Sequence, residues 1–198
     1  MTAVPDFEAL YRAEPDPWRV GSSFYEQRKL ALVLGALSRP RYEHAWDPAS
    51  GTGHLAARLA ARCRRLLATD GAAEAVKITR QTCAGLDNVM VRRLALPEVQ
   101  SAAAQGPFDL VVVSEFLYYL TDRDRAGALA GFEHVTGAGA ELVAVHWRQH
   151  PHDAWLSGAA VQAEMHETLL GCGWQPGVRL EDPEFVLHSW HRPPHGRS

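Results

Sequence analysis

The chain has 198 residues, 46% of them hydrophobic, so it is long enough to bury one hydrophobic core. Its formal net charge of −3 at pH 7 gives no sign of a polyanionic partner, so we expect no nucleic-acid binding. Cys63, Cys83 and Cys172 form no CxxC pair, which favours free thiols in a reducing cytoplasm. The N-terminus lacks the features of a secretory signal, and no apolar run reaches the ~18 residues of a membrane span. We therefore expect a cytoplasmic protein without a membrane partner.

The hydrophobic pattern predicts helices and strands that alternate along the chain. A short helix and a turn at EPDPW precede a helix over SFYEQRKLALVLGAL. The predicted strands are YEHAWDPA, RRLLATD, NVMVRRLAL, the start of FDLVVVSEFLYYL, GAELVAVHW, WQPGVRLED and EFVLHSWHR. The helices between them are GHLAARLAARC, GAAEAVKITRQTCAG, DRDRAGALAGFEHVTG and GAAVQAEMHETLLGCG. The last residues, PPHGRS, are expected to be frayed.

This alternation predicts an α/β protein with a Rossmann-like, doubly wound, mostly parallel seven-stranded sheet and helices on both faces. The last two strands follow each other closely and can pair as a hairpin, which places one antiparallel strand near the C-terminus. We expect residues 1–198 to form a single domain. Residues 1–40 would form an N-terminal helical cover, and residues 41–192 the Rossmann-like core.

The stretch WDPASGTGHLAARLA predicts a ligand-binding turn between the first strand of the core and the next helix. Ligands of doubly wound sheets bind beyond the carboxyl ends of the strands, and Gly51 and Gly53 permit a tight bend with close backbone approach. Asp70 ends the second strand of the core and can accept the hydroxyls of a ribose, cap the next helix, or do both. The segment 51–56 also satisfies the dinucleotide pattern GxGxxA, so an NAD-dependent oxidoreductase is an alternative.

Asp47 favours S-adenosylmethionine over a dinucleotide. It ends the first strand of the core, directly before the glycines. The phosphates of a dinucleotide prefer a helix N-terminus without a nearby acid, whereas the sulfonium and ammonium of S-adenosylmethionine are cations that a carboxylate attracts. The sequence therefore predicts S-adenosylmethionine as the cofactor.

Several motifs resemble those of class I S-adenosylmethionine-dependent methyltransferases. DPASGTG resembles the glycine-rich motif I, LLATD the strand with the ribose acid, LALPE the segment that flanks the adenine, and FDLVVVSEFLYYL the fourth-strand motif. More narrowly, DPWRVGSSFYEQRK, SEFLYYL and HWRQHPHD together resemble the nodulation protein S group. The resemblance covers roughly residues 14 to 190.

The resemblance implies which residues hold the cofactor. Asp47 and Gly51 would lie near the methionine end, Gly53 in the turn, and Asp70 at the ribose. Two departures stand out: Ala49 replaces the first glycine of motif I, and Leu94 or Ala95 replaces an acid that contacts the adenine amine in many relatives. The remaining implied residues are Leu96 beside the adenine, Ser114 beside the sulfonium, and Trp18, Tyr25 and Arg28 in the N-terminal cover. Arg28 is either a clamp for the methionine carboxylate or a solvated helix residue.

The chemistry is expected after the fourth and fifth strands of the core. Glu115 and His146 are the candidate catalytic residues, which would position an acceptor amine and take its proton. Tyr118, Tyr119, Trp147 and Arg148 are the candidates for binding the acceptor. The resemblance implies N-methylation of a small molecule, most simply the amine of an aminosugar-like or natural-product acceptor. O-methylation of a natural-product hydroxyl is the alternative, and the sequence leaves the oligomeric state open.

A metal-dependent hydrolase is a further alternative, based on the segment from His146 to Asp153. Its HPHD motif has the residue types of a hydrolase metal site, but the histidine that such sites place after the acid is absent. We therefore expect no functional metal.

Overall fold

The computed structural model describes residues 4–194, which are built around one seven-stranded sheet. The strands are β1 (Tyr42–Pro48), β2 (Cys63–Asp70), β3 (Val89–Arg93), β4 (Phe108–Ser114), β5 (Thr136–Trp147), β6 (Gln175–Glu181) and β7 (Phe185–His191). Their spatial order is β3-β2-β1-β4-β5-β7-β6. β1 to β5 pair in parallel, and β7 runs antiparallel between β5 and β6. The predicted mostly parallel sheet and its antiparallel strand near the C-terminus are confirmed.

Seven α-helices connect or flank these strands within the described part of the chain. They are α1 (Phe7–Ala13), α2 (Phe24–Ala36), α3 (His54–Leu59), α4 (Ala73–Thr82), α5 (Gln100–Ala103), α6 (Asp122–Val135) and α7 (Gly158–Gly171). Short 3-10 helices follow α3 at Ala60–Arg62 and β4 at Leu117–Tyr119. Helix α2 has Ser23 as its N-cap, and the Ser23 side chain accepts a hydrogen bond from the backbone N–H of Glu26. The short α5 is the one helix that the hydrophobic pattern did not predict.

Two hydrophobic layers cover the two faces of the sheet. Trp46, Phe108 and Phe132 lie in one layer with α6 and α7, and Val33 and Leu59 lie in the other with α2 and α3. The strand order reverses at β1, which has β2 on one side and β4 on the other. The loops after β1 and β4 therefore diverge and leave room for a ligand at the carboxyl edge of the sheet.

Residues 195–198 lie outside the described range. The prediction that PPHGRS is frayed therefore falls mostly on residues that the structure does not describe. Cys63 and Cys83 are buried free thiols, and Cys172 is an exposed one, as expected. Between residues 4 and 194, the helices are too short or too polar for any of them to cross a bilayer.

Candidate functional site

A cavity of about 1000 Å³ opens at the carboxyl edge of the sheet. This volume is at the upper end of the range for small-molecule sites, roughly 300–1000 Å³. Most of the predicted site residues line it: Trp18, Tyr25, Asp47, Ala49, Gly51, Asp70, Leu94, Ala95, Leu96, Ser114, Glu115, Tyr118, Tyr119 and Trp147. Four predicted site residues do not line it, namely Arg28, Gly53, His146 and Arg148.

Asp47 brings an unpaired carboxylate oxygen to the cavity. The residue is only 1% exposed, and its Oδ2 has no hydrogen-bond partner. Burial raises the pKa of Asp47 well above its usual value, and the nearby carboxylate of Asp70 raises it further. Because a buried polar group without a partner is costly, this oxygen is suited to a cationic or hydrogen-donating ligand.

The turn after β1 is a tight bend, as its glycines predict. Ala49 has φ +56° and Gly51 has φ +55°, so both lie in the left-handed region. A Cβ on Gly51 would lie 2.7 Å from the hydroxyl oxygen of Tyr11, so any other residue there would require the Tyr11 side chain to shift. Ala49 thus has a left-handed backbone, which a glycine adopts without strain and an alanine does not.

Gly53 lies in the turn, as expected, but does not line the cavity. It is the N-cap of α3 with φ +77°, and a Cβ there would lie 2.9 Å from the Cα of Thr79. The residue is a glycine because α3 and α4 approach closely at this point.

Asp70 ties the glycine turn to the first residues of α4. Its Oδ2 accepts a hydrogen bond from the backbone N–H of Gly51 (3.0 Å), and its Oδ1 accepts one from that of Ala72 (2.9 Å). Burial raises the pKa of Asp70 despite these bonds, which act to lower it. The carboxylate keeps free lone pairs, so it can order the loop and still accept hydroxyl donors.

An aromatic cover closes the cavity from the N-terminal side. The ring centroids of Phe7 and Tyr119 are 5.0 Å apart, and those of Tyr11 and Trp18 are 5.7 Å apart. Glu8 fastens α1 to the core, because its Oε2 accepts a 2.6 Å hydrogen bond from the backbone N–H of Ala73. The expected helical cover therefore exists, but the sequence analysis did not identify Phe7, Glu8 or Tyr11 as part of the site.

The segment after β3 forms an apolar wall at the expected adenine position. Leu94, Ala95 and Leu96 line the cavity there, and the backbone N–H of Leu94 donates to the backbone oxygen of Asp70 (2.9 Å). This hydrogen bond fixes the apolar wall next to the proposed ribose acid.

Glu115 is the centre of the polar network at the other end of the cavity. Its Oε1 accepts a hydrogen bond from Lys29 Nζ (2.5 Å), and its Oε2 accepts from the Tyr118 hydroxyl (2.8 Å) and the Trp147 backbone N–H (2.7 Å). Its backbone has φ +62°. Burial favours a raised pKa, but the charge of Lys29 and the donated hydrogen bonds hold the pKa of Glu115 below its usual value. Lys29, another residue that the sequence analysis missed, therefore faces an ionised carboxylate.

His146 lies behind the cavity wall, which corrects its expected position as a cavity-facing base. It is fully buried, with its ring 5.5 Å from that of Tyr118 and its Nδ1 3.3 Å from Gln162 Nε2. Burial lowers the pKa of His146 to about 4. Its Nε2 has no hydrogen-bond partner. The imidazole is therefore neutral near pH 7 and packs between the 3-10 turn and α7.

Arg28 and Arg148 also lie away from the cavity, which corrects two further expectations. The guanidinium of Arg28 pairs with Asp182, so in this structure it neither lines the cavity nor stands free in solvent. Arg148 pairs with Glu181 (2.9 Å) and donates to the backbone oxygen of Asp182 (2.9 Å). Both arginines therefore fasten the loop between β6 and β7.

The histidines after β5 do not form a metal centre. In residues 4–194, no group of three or more His, Cys, Asp or Glu side chains has the arrangement to hold a metal ion. His150 Nε2 instead lies 2.9 Å from the backbone oxygen of Ala154. The geometry gives the metal-dependent hydrolase alternative no support.

Comparison with known proteins points to one family. The family model for nodulation protein S (NodS) matches residues 8–161. Nodulation protein S of Sinorhizobium fredii is 31% identical over 125 residues, which make up 62% of this chain and 56% of that protein. This chain thus spans little more than half the length of that curated relative.

Two solved structures share the fold along most of the chain. A Pseudomonas syringae protein assigned as a methyltransferase is 30% identical with a TM-score of 0.70, and the match covers 86% of this chain and 100% of that one. The N-methyltransferase NodS of Bradyrhizobium japonicum WM9, in complex with S-adenosyl-L-homocysteine, is 20% identical with a TM-score of 0.76. That match covers 96% of this chain and 100% of the other.

Proposed function

Because the chain belongs to the nodulation protein S family, we propose that it transfers a methyl group from S-adenosylmethionine to the amine of a small-molecule acceptor. The observation that carries this proposal is the unpaired, buried Oδ2 of Asp47 on the cavity wall. A sulfonium cofactor with an ammonium group satisfies such an oxygen, whereas the phosphates of a dinucleotide would be repelled by it. The family membership and the solved N-methyltransferase relative support the same cofactor.

The residues of the cavity fit the parts of this cofactor. Asp47 would face the ammonium of the methionine portion, Asp70 would accept the ribose hydroxyls, and the wall from Leu94 to Leu96 would pack against the adenine. When bound, S-adenosylmethionine supplies an activated methyl group. The lone pair of the acceptor forms the new bond to the methyl carbon while the electron pair of the carbon–sulfur bond stays with sulfur. Phe7, Tyr11 and Trp18 would exclude water from this part of the cavity.

The surroundings of Glu115 favour an amine over a hydroxyl as the acceptor. A hydroxyl is a weak nucleophile that needs a base, and His146 lies behind the wall while Glu115 already accepts three hydrogen bonds. A neutral amine attacks without a base, and its N–H groups can donate to a carboxylate. We therefore propose N-methylation of an aminosugar-like or natural-product amine, with Tyr118, Tyr119 and Trp147 around the acceptor.

We further propose that the protein acts in the cytoplasm and binds no nucleic acid. The net charge of −3 and the unpaired thiols support this part of the proposal.

Calorimetric titration with S-adenosylhomocysteine, beside NAD and zinc as controls, tests the proposed function. We expect micromolar binding of S-adenosylhomocysteine and at least tenfold weaker binding by Asp70→Ala, because that variant loses hydrogen bonds to a charged group, each worth about 1.5–3 kcal/mol. Circular dichroism of the variant checks that the glycine turn, which Asp70 also orders, still folds. Uptake of NAD in place of S-adenosylhomocysteine would overturn the proposal.

A further inference from the structure

Lys29 occupies an unusual position at the acceptor end of the cavity. Its side chain is only 3% exposed, and its Nζ lies 2.9 Å from Glu26 Oε1 and 2.5 Å from Glu115 Oε1. The Nζ also lies 4.8 Å from the centroid of the Tyr25 ring. Lysine is rarely buried unless it is paired, and here one ammonium bridges two carboxylates. The triad therefore keeps one net negative charge beside the cavity.

The hydrogen bonds of Glu115 leave one position for a ligand. A carboxylate offers about four lone-pair positions on its two oxygens. Tyr118 and Trp147 donate to Oε2, and Lys29 donates to Oε1. The open position is therefore on Oε1, the oxygen that Lys29 holds.

We propose that Lys29 is a positioning residue that fixes Oε1 of Glu115, so that this oxygen accepts one N–H of the acceptor amine and orients its nitrogen. This inference rests on the proposed function, because it assigns a role at the same site. Glu115 then acts as an anchor and not as a base, since the charge of Lys29 and the three donated hydrogen bonds stabilise its ionised form. The amine binds in its neutral form, and the methylated product keeps its extra proton as an ammonium until it loses that proton to water.

The charges around Glu115 agree with an anchoring role. Three elements bring titratable groups to it: Tyr25, Glu26 and Lys29 from α2, Tyr118 and Tyr119 from the 3-10 turn, and His146 from β5. Burial favours a lowered pKa for Lys29, but Glu115 and Glu26 raise it, so the ammonium stays charged. The tyrosines stay protonated because burial and Glu115 raise their pKa values. Apart from the Glu26 carboxylate, which pairs with Lys29, each group thus remains a donor to the Glu115 carboxylate or a neutral neighbour.

The titration of Glu115 tests this inference without knowledge of the acceptor. The protein is labelled with ¹³C at the glutamate side-chain carboxyls, and its NMR spectrum is followed with pH, with Glu115→Gln to assign the resonance. We expect Glu115 to titrate below the exposed glutamates in the wild type. Lys29→Met should raise its midpoint by about one pH unit or more, and Lys29→Arg should restore it, because an opposite charge at this distance lowers the pKa of a carboxyl by about 1–3.

Lys77→Met is the matched control, because Lys77 is the only other lysine and its side chain is 65% exposed. It should leave the midpoint of Glu115 unchanged. A wild-type midpoint near neutral pH would identify Glu115 as a base, and an unchanged midpoint in Lys29→Met would remove the role of Lys29. Either result overturns the inference. The wild-type midpoint is informative even if Lys29→Met does not fold, and a separate S-adenosylhomocysteine titration shows whether the proposed function itself fails.

Discussion

Arg28 in α2 forms an ion pair with Asp182, in the loop between β6 and β7, and does not face the cavity. Its guanidinium also lies 5.3 Å from the centroid of the Phe185 ring. The arginine of the motif therefore joins the N-terminal cover to the C-terminal hairpin. The methionine portion of the proposed cofactor would then be held by residues that line the cavity, such as Asp47, whose Oδ2 is buried and unpaired.

Replacement of Arg28 by Met should leave cofactor affinity intact. We expect the Kd for S-adenosylhomocysteine to stay within about twofold, because changes away from a site usually alter a free energy by no more than about 0.5 kcal/mol. The melting temperature should fall slightly, since Asp182 loses its charged partner. Calorimetry and thermal unfolding measure the two effects, and a Kd raised tenfold would restore Arg28 as a clamp.

Asp47→Asn should stabilise the ligand-free protein. The folded state raises the pKa of Asp47. The unfolding free energy therefore falls as the pH rises above the usual titration range of an aspartate, because the unfolded chain ionises this residue more easily than the folded protein does. The amide carries no charge, and the variant lacks this loss. Thermal unfolding at pH 5 and pH 8 should therefore show a higher melting temperature for Asp47→Asn, with the larger gain at pH 8. Equal melting temperatures for both proteins at both pH values would mean that Asp47 already has a partner.

Burial of His146 should make the protein sensitive to acid. Its pKa is about 4 in the folded state, whereas a histidine in an unfolded chain titrates near 6.5, so the unfolded state binds more protons between these values. The resulting stability, about 3 kcal/mol, is complete above pH 6.5 and is lost as the pH falls toward 4. Buried His44 and His188 also have lowered pKa values and add to this loss.

The contribution of His146 can be separated by substitution. Between pH 7 and pH 5, His146→Gln should lose about 2 kcal/mol less unfolding free energy than the wild type, because glutamine does not titrate. Urea denaturation at the two pH values measures this difference. His152→Gln, at an exposed position of the following loop, is the control and should behave like the wild type. If His146→Gln lost as much unfolding free energy between pH 7 and pH 5 as the wild type, the pKa of His146 would not be lowered in the folded state.

Ala49→Gly should relieve strain in the turn after β1. Left-handed backbone costs a non-glycine residue about 1–2 kcal/mol, and the added flexibility of the unfolded chain offsets roughly 0.4–1 kcal/mol of the gain. The net effect should be a small rise in unfolding free energy, with unchanged affinity for S-adenosylhomocysteine. Ala57→Gly, within α3, should instead lower the unfolding free energy by about 1 kcal/mol. If Ala49→Gly destabilises as much as Ala57→Gly, the strain is absent.

The fold was predictable because its elements have distinct local patterns. The alternation of strands and helices predicts a doubly wound sheet, the unbroken apolar run in β4 predicts a strand covered on both faces, and the glycines after β1 predict a ligand-binding turn. The site residues on the glycine turn follow from the same pattern. Asp47 was predicted from its place at a strand end, and the structure adds that its Oδ2 is buried and unpaired.

The missed and misplaced residues depend on side-chain direction, which the sequence does not encode locally. His146 and Trp147 are neighbours at the end of β5, and successive strand residues point to opposite faces. Only Trp147 lines the cavity. Lys29 has the pattern of an ordinary helix charge, and only the packing of α2 against β5 and β7 of the sheet reveals its ion pair with a residue 86 positions away.

The most direct test of the central claim compares two ligands on two proteins. S-adenosylhomocysteine carries an ammonium group that 5′-deoxy-5′-methylthioadenosine lacks, so the ratio of their Kd values isolates the contribution of the amino-acid portion. If Asp47 faces that ammonium, calorimetry should show a strong preference of the wild type for S-adenosylhomocysteine and at least about tenfold less preference in Asp47→Asn, since a hydrogen bond to a charged group contributes about 1.5–3 kcal/mol. The same ratio in both proteins would contradict the claim that Asp47 binds the cofactor.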